Sequence, residues 1–295
     1  MRVPRRFDRE RCSIISNDFI ARIVRHFHRN GASLNRSNSP DSLEKVMTRF
    51  HGKSVLITGG SSGIGLAAAK AFAAEGARVV ITGRDSAALE EAKRGLGADA
   101  VAVRNDTGSV AAARELAIAI GDAGIKLDAV FINAGAAKFA PFTDVDEALW
   151  DANFNINVKG AYFQIQSLLP HLNKGASVVI NGSINAHIGM PGSSVYAASK
   201  AAVISLARTL SSELLPRGVR VNVVSPGPVQ TPLYGKLGLD ADTLKATAAQ
   251  ILNQIPLGRF GTPEEIAATV LHLSSPESAF IVGTEIIADG GMSQL

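Results

Sequence analysis

The sequence predicts an α/β fold: one doubly wound, parallel, seven-stranded sheet with helices on both faces, in a single domain. Two observations carry the prediction. Short apolar runs of strand length alternate with Ala- and Leu-rich stretches of helical period from residue 54 to residue 288, and that alternation implies βα units joined by right-handed crossovers. The first apolar run also opens into a glycine-rich turn followed at once by a helix former, Leu66-Ala67-Ala68-Ala69-Lys70-Ala71-Phe72.

Composition sets bounds. The chain has 295 residues, 46% of them hydrophobic, which is enough to bury a sizeable core. No apolar run approaches the ~20 residues that span a bilayer, so no membrane role is expected. Cys12 is the sole cysteine. It rules out intramolecular disulfides and paired-cysteine metal sites, and it fits a reducing, cytoplasmic setting. Residues 1–46 carry ten basic and five acidic side chains, whereas residues 47–295 carry twenty and twenty-one. A nucleic-acid role would rest on the leader alone, and none is expected of the body. The leader lacks hydrophobic patterning. It reads as disordered, or as lying ahead of a true start at Met47, and residues 47–295 read as the working domain.

Ser54 to Thr58 reads as a buried strand. The turn Gly59-Gly60-Ser61-Ser62-Gly63-Ile64-Gly65 follows it. Strand, glycine turn and helix in that order make a phosphate site, because glycines let the backbone approach a pyrophosphate and the helix N-terminus presents free N–H groups. The spacing is G-x-x-x-G-x-G rather than the commoner G-x-G-x-x-G. Arg78 to Thr82 is a second strand, ending at Gly83-Arg84-Asp85. An acidic group in this region takes the ribose 2′-OH of NAD, and a guanidinium takes a 2′-phosphate. Arg84 favours NADP(H), while the adjacent Asp85 leaves NAD(H) open.

A helix is expected from Ser86 to Gly95 and a third strand from Ala98 to Val103. Asp106 just beyond it is a candidate adenine contact or a plain turn residue. A helix from Val110 to Ala123 leads to a fourth strand, Lys126 to Ile132, which ends in Asn133-Ala134-Gly135. The small Ala134 and Gly135 let the chain pass close to a flat ligand, and Asn133 either ties strands together or touches the cofactor. Residues 147–169 have helical period, closed by Pro170. Asn153, Asn155, Asn157 and Gly160 inside that helix are costly, and such a local conflict marks a functional or packing demand. Position does not choose among the three asparagines.

A fifth strand, Ala176 to Ile180, leads into Ser183 and then a loop through Gly189-Met190-Pro191-Gly192. The following Ala- and Ser-rich helix puts Tyr196 and Lys200 one turn apart on a shared face. A hydroxyl, a phenol and an ammonium then surround one point, at the sheet end where open α/β folds bind ligands. An ammonium near a phenol whose free pKa is near ~10 favours the phenolate and suits it to proton transfer. Gly218 to Val224 is a sixth strand, closed by Ser225-Pro226-Gly227-Pro228. Residues 233–256 read as a lid or an exposed helical pair. Thr262-Pro263-Glu264-Glu265 reads as a capping box with Pro at the first helical position, and Glu285 to Ala288 as the last strand.

With these residues assembled, residues 50–295 resemble the short-chain dehydrogenase/reductase family, in its compact one-domain subgroup with a Rossmann-like fold. The resemblance rests on the Thr58–Gly65 turn, Asn133-Ala134-Gly135, Asn157-Val158-Lys159-Gly160, Ser183, Tyr196-Ala197-Ala198-Ser199-Lys200 and Pro226-Gly227, in family order and spacing. Members close to 3-oxoacyl-carrier-protein reductases and sugar or steroid dehydrogenases look most similar. The resemblance implies an oxidoreductase that passes a hydride between a nicotinamide and a carbonyl or secondary alcohol. Tyr196 would be the general acid/base, Lys200 its neighbour and a nicotinamide-ribose ligand, Ser183 the oxygen-positioning donor, and Asn157 the anchor of a proton relay. Cofactor contacts would include Gly59, Ser61, Ser62, Gly63, Ile64 and Gly65 in the turn. They would include Arg84, Asp106, Asn133, Ala134 and Gly135 along the crevice, and Pro226, Gly227 and Thr231 beyond the sixth strand. The resemblance also implies a homotetramer or homodimer. Ile188, Met190, Leu233, Leu237 and Leu239 point to an apolar carbonyl or alcohol substrate. The rival reading is a cofactor-binding sensor or scaffold with a vestigial site.

Overall fold

The sheet forms because seven apolar segments pair only in parallel, in the order β3-β2-β1-β4-β5-β6-β7. The computed structural model describes residues 49–231 and 240–295. Expectations for the leader, including Cys12 and Met47, and for Leu233, Leu237 and Leu239 lie outside the described residues. Contacts gather Val46–Leu295 into one compact unit. The strands are β1 Ser54–Thr58, β2 Arg78–Gly83, β3 Val101–Arg104, β4 Leu127–Ile132, β5 Leu172–Asn181, β6 Arg220–Pro226 and β7 Glu285–Ala288. The helices are α1 Gly63–Ala74, α2 Ser86–Arg94, α3 Val110–Asp122, α4 Glu147–Phe154, α5 Ala161–Leu168, α6 Ser194–Leu214, α7 Ala241–Leu252 and α8 Pro263–Ser274.

Alternate residues of each strand feed two cores. Val55 and Ile57 of β1 face one layer, with Phe72 of α1 and Ile266 and Val270 of α8. Leu56 faces the other, with Leu116 of α3, Ile165 of α5 and Ala207 of α6. Burial on both faces explains why the strands read as continuous apolar runs. Strands are added outward in opposite directions from β1 and β4, so the crevice opens at the carboxyl ends of that pair.

Helix starts follow the expected chemistry. The Asp85 carboxylate accepts from the Ala87 and Ala88 amides, and Thr262 with Glu265 forms the full capping box of α8. Arg220 is buried on β6, where its guanidinium donates to the carbonyls of Leu273, Ser275, Ser278 and Ile281. It thereby satisfies the orphan end of α8 and the turn after it.

Several boundaries differ from the sequence reading. β3 starts three residues later than expected, and β5 starts at Leu172. The expected helix over 147–169 is broken: a π-helical stretch, Asn155–Gly160, separates α4 from α5. The asparagine-rich segment thus spends its unfavourable propensity on a widened turn, a feature common at functional sites. Pro170 closes α5 as expected, entering a 3₁₀ turn, Leu169–His171, at a position where its missing N–H costs nothing. Of the expected lid segment, the described part is residues 240–256, chiefly the helix α7 capped by Asp240.

Candidate active site

The glycine turn is packed as tightly as its sequence suggests. A Cβ on Gly65 would fall 2.2 Å from the Gly59 carbonyl oxygen, and Gly59 itself has φ of 65°. Only glycine satisfies both positions. Asn133 donates its side-chain amide to the Thr58 and Gly59 carbonyls, while the Thr58 hydroxyl accepts the Asn133 and Ala134 amides. Asn133 is therefore the tie between strands, and it also borders the crevice.

The crevice has a volume of ≈ 510 Å³. At one end Gly59, Ser61, Ser62, Gly63 and Ile64 face it, together with Arg84 and Asp106. Ala134 and Gly135 form its floor, and Tyr196, Lys200 and Thr231 close the other end. Three expected cofactor residues do not line it. Gly65 lies beneath the turn. Pro226 and Gly227 lie aside, and a Cβ on Gly227 would stand 2.6 Å from the Asp289 side chain. That glycine leaves room for the carboxy-terminal segment. Asp85 borders the crevice, but its carboxylate is committed to capping α2. The Arg84 side chain has no acidic partner among the described residues.

Ser183 follows β5; its hydroxyl accepts the Asn185 amide at 3.2 Å and donates to the Asn185 carboxamide oxygen at 3.4 Å, and it lies close enough to the Tyr196 phenol to hold its pKa down. Lys200 donates to the Asn181 carbonyl oxygen at 2.8 Å. Its nitrogen stands 5.8 Å from the centre of the Tyr196 ring. Burial lowers the Lys200 ammonium to about 8. The sequence reading expects that ammonium to lower the phenol. In the chain alone, burial instead pushes Tyr196 above its ordinary value, and the Ser183 bond offsets only part of the rise.

Asn157 sits in the π-helical stretch. Its carbonyl oxygen accepts the Ala136 amide, and its amide donates to the Ala136 carbonyl and the Ser199 hydroxyl. A Cβ on Gly135 would lie 3.2 Å from the Asn157 oxygen and 3.5 Å from the Lys200 nitrogen, so both groups crowd one point. Asn153 performs the matching task for Lys138, accepting its amide and donating to its carbonyl. The two asparagines thus dock the chain after β4 onto the π-helical region. Asn155 faces an outer groove with Val158 and Tyr162.

Four contributors escaped the sequence reading. Asn181 supplies the carbonyl for Lys200 and an amide for Asn133, and its own carboxamide oxygen is buried without a partner. Ser199 links Asn157 to the Tyr196 carbonyl. Phe139 meets the Tyr196 ring edge-on at 5.3 Å. Gln164 bridges Asn105 and Thr107 near Asp106. Only Asn181, polar at the end of a buried strand, carried a sequence signal.

The glycine cradle and the guanidinium fit the anionic phosphates of an extended dinucleotide, and the orphan amide oxygen fits one of its hydroxyl or amide donors. Fold and site together define a nucleotide-dependent oxidoreductase of the α/β class. Residues 59–293 match a family profile described as Enoyl-(Acyl carrier protein) reductase. Oxidoreductase asL5 of Sarocladium schorii is 39% identical over 252 residues, covering 85% of this chain and 99% of the relative. The 3-oxoacyl-[acyl-carrier-protein] reductase FabG of Thermotoga maritima is 36% identical over 249 residues, 83% of this chain and 99% of that one. Among solved structures, a Pseudomonas aeruginosa RhlG/NADP active-site complex is 33% identical, with a TM-score of 0.76 and coverage of 84% of this chain and 99% of that chain. The chain belongs to the short-chain dehydrogenase/reductase family. Its relatives are named dehydrogenases and reductases, and the chain is an NAD(P)-dependent enzyme of that kind acting on alcohol or ketone groups.

Proposed function

We propose that the chain is an NADP(H)-preferring carbonyl reductase and alcohol dehydrogenase in which Tyr196 moves the proton. The observation that carries this reading is that Tyr196 and Lys200 border the same crevice as Arg84, with the Ser183 hydroxyl beside the Tyr196 phenol. The bound nicotinamide supplies or accepts the hydride. Ser183 donates a hydrogen bond to the substrate oxygen and holds it against the phenol. Tyr196 gives its proton to that oxygen in reduction and takes it back in oxidation. Lys200 holds the nicotinamide ribose and feeds charge toward the phenol, and Asn157, docked on Ala136, anchors the relay that replenishes the proton.

Arg84 would take a 2′-phosphate through its paired N–H groups. Asp85, already capping α2, is a poor rival for a ribose hydroxyl. Asp106 would meet the adenine, and Thr231 the carboxamide. Phe139 at the phenol and exposed Met190 on the facing loop support an apolar substrate. The apolar groove of Phe154, Val158, Tyr162, Phe163 and Leu206 supports pairing of copies through α5 and α6, as a dimer or tetramer. Residues 47–295 would be the dinucleotide-binding and catalytic domain, working in the cytoplasm.

The test is Tyr196→Phe, assayed by NADPH consumption over a panel of apolar ketones and 3-oxo esters. Turnover should fall by about 100-fold or more. Turnover near that of the unaltered chain would reject the assignment.

A further inference from the structure

Behind Ser183, two strands and a turn are joined through one carboxylate. Glu285, at the start of β7, accepts from the Ser225 hydroxyl of β6 at 2.5 Å and is bonded to His187 Nε2 at 2.7 Å. His187 ends the short turn Ile184–Ala186 that directly follows Ser183. The Ser225 hydroxyl also presses on the backbone just before Ser183: a Cβ on Gly182 would stand 2.3 Å from it. The same backbone is bonded to β6, where the Gly182 amide donates to the Val224 carbonyl at 2.7 Å.

Ile184 is buried and Ala186 packs against the core, but the other hydrogen bonds of the turn are local. The Ser183 hydroxyl accepts the Asn185 amide. The Ala186 amide donates to the Ser183 carbonyl, and the His187 and Ile188 amides donate to the Ile184 carbonyl. Beyond it, the loop is pinned by the bond from the Ala140 amide to the Gly192 carbonyl. Among the described residues, His187 alone carries a side-chain hydrogen bond from residues 184–192 to the sheet. Ser183 must hold its hydroxyl at the Tyr196 phenol, so the stiffness of this turn bears on catalysis.

We propose that His187 is a positioning residue: its bond to Glu285 clamps the turn after Ser183 to β6 and β7 and so fixes the Ser183 hydroxyl against Tyr196. The proposal rests on the oxidoreductase reading above. Glu285 can accept from the imidazole whether the ring is neutral or charged, so the clamp is a hydrogen bond first. His187 is 34% exposed and Glu285 10%. Water reaches the ring, while the carboxylate is held by two donors. A misplacement of about 1 Å at a reacting group costs on the order of 100-fold in rate, which sets the scale for losing the clamp.

The test compares His187→Ala with His187→Gln, whose amide nitrogen replaces Nε2 as donor. Amide hydrogen exchange in the NADPH-bound protein is read at His187 or its replacement and at Ile188. Exchange should be about tenfold faster in His187→Ala, as expected for loss of a hydrogen bond to a charged group, and near the unaltered rate in His187→Gln. With ethyl acetoacetate as probe, kcat should fall between about 10- and 100-fold in His187→Ala, with the Kd for NADPH unchanged, and most of it should return in His187→Gln. Unchanged exchange in His187→Ala overturns the proposal. So does faster exchange with full kcat, or a loss in His187→Gln equal to that in His187→Ala. If the unaltered chain turns over no ketone at all, the functional reading fails instead, and the exchange comparison alone decides whether the clamp exists.

Discussion

Lys200 gives its ammonium to the carbonyl of Asn181 at 2.8 Å, in a site where burial alone lowers it to about 8 from 10.5. The fold therefore carries a cation it would rather lose. Because the folded value lies below the unfolded one, the penalty is fully present below about pH 8 and fades as pH rises toward 10.5. A shift of that size is worth about 3 kcal/mol at neutral pH. Lys200→Met removes it and leaves one carbonyl without a donor, at roughly 1 kcal/mol. The variant should be inactive yet more stable by about 2 kcal/mol, with the gain shrinking at alkaline pH. Denaturant melts of both proteins across pH check this. A less stable variant at neutral pH would contradict it.

The phenol of Tyr196 is held up by burial and drawn down by the Ser183 hydroxyl. Removing that hydroxyl leaves burial unopposed. In alcohol oxidation, where the phenolate is the active form, Ser183→Ala should shift the rising limb of the kcat/KM profile to higher pH, in addition to lowering the rate. Ser183→Thr, which keeps the hydroxyl, should leave the limb in place. A limb that does not move in Ser183→Ala would show that Ser183 has no hold on the proton.

Arg84 and Asp85 are adjacent, but the Asp85 carboxylate is already committed, which leaves Arg84 for the proposed 2′-phosphate role. Asp85 caps α2 through the Ala87 and Ala88 amides, so Asp85→Ala should cost about 1 kcal/mol of stability and leave the ratio of NADPH to NADH affinity unchanged. Arg84→Ala should weaken NADPH by about tenfold or more and NADH little, the loss expected for one charge-assisted contact. Fluorescence titration with both nucleotides separates these outcomes, and equal losses for the two nucleotides in Arg84→Ala would dismiss the 2′-phosphate role.

Much of this was legible because it is written in local chemistry. The alternation of runs gave all seven strands, and Thr262-Pro263-Glu264-Glu265 gave its capping box. Ser183, Tyr196 and Lys200 were legible because a strand end and a helical four-residue spacing suffice to place them. The parts that were not legible depend on contacts between distant segments. The π-helical turn at Asn155–Gly160 exists because Asn153 and Asn157 must reach the backbone at Lys138 and Ala136. The penalty was visible, but its partner was not. Asn181, Ser199 and Glu285 act through carbonyls and hydroxyls many residues away, and no period or motif announces such pairs. The direction of the Tyr196 shift was missed because a neighbouring charge can be read from sequence, whereas the depth of burial cannot.

Two glycines test how far packing overrides propensity. Gly160 has helical geometry, with φ of −62°, so intrinsic preference alone would make Gly160→Ala stabilising by about 1 kcal/mol. A Cβ there would stand 2.1 Å from the Thr107 carbonyl oxygen and 3.0 Å from the Thr107 side chain. The nearest of those atoms is backbone in the turn after β3, and Gln164 bonds the Thr107 hydroxyl, so the residue cannot easily swing aside. The π-helical stretch must then lift away from β3 or Thr107 must shift, and overpacking of this kind costs about 1–3 kcal/mol. Gly160→Ala should therefore destabilise the fold and loosen cofactor binding beside Asp106. Gly189, in the loop before α6, has nothing within 4 Å of its Cβ position and no positive φ. Gly189→Ala should be neutral or stabilising by up to about 1 kcal/mol, through the unfolded chain. Thermal melts and NADPH titrations of the two variants decide the matter: if Gly160→Ala is the more stable of the pair, the close approach of the π-helical stretch to Thr107 is not what holds that side of the crevice.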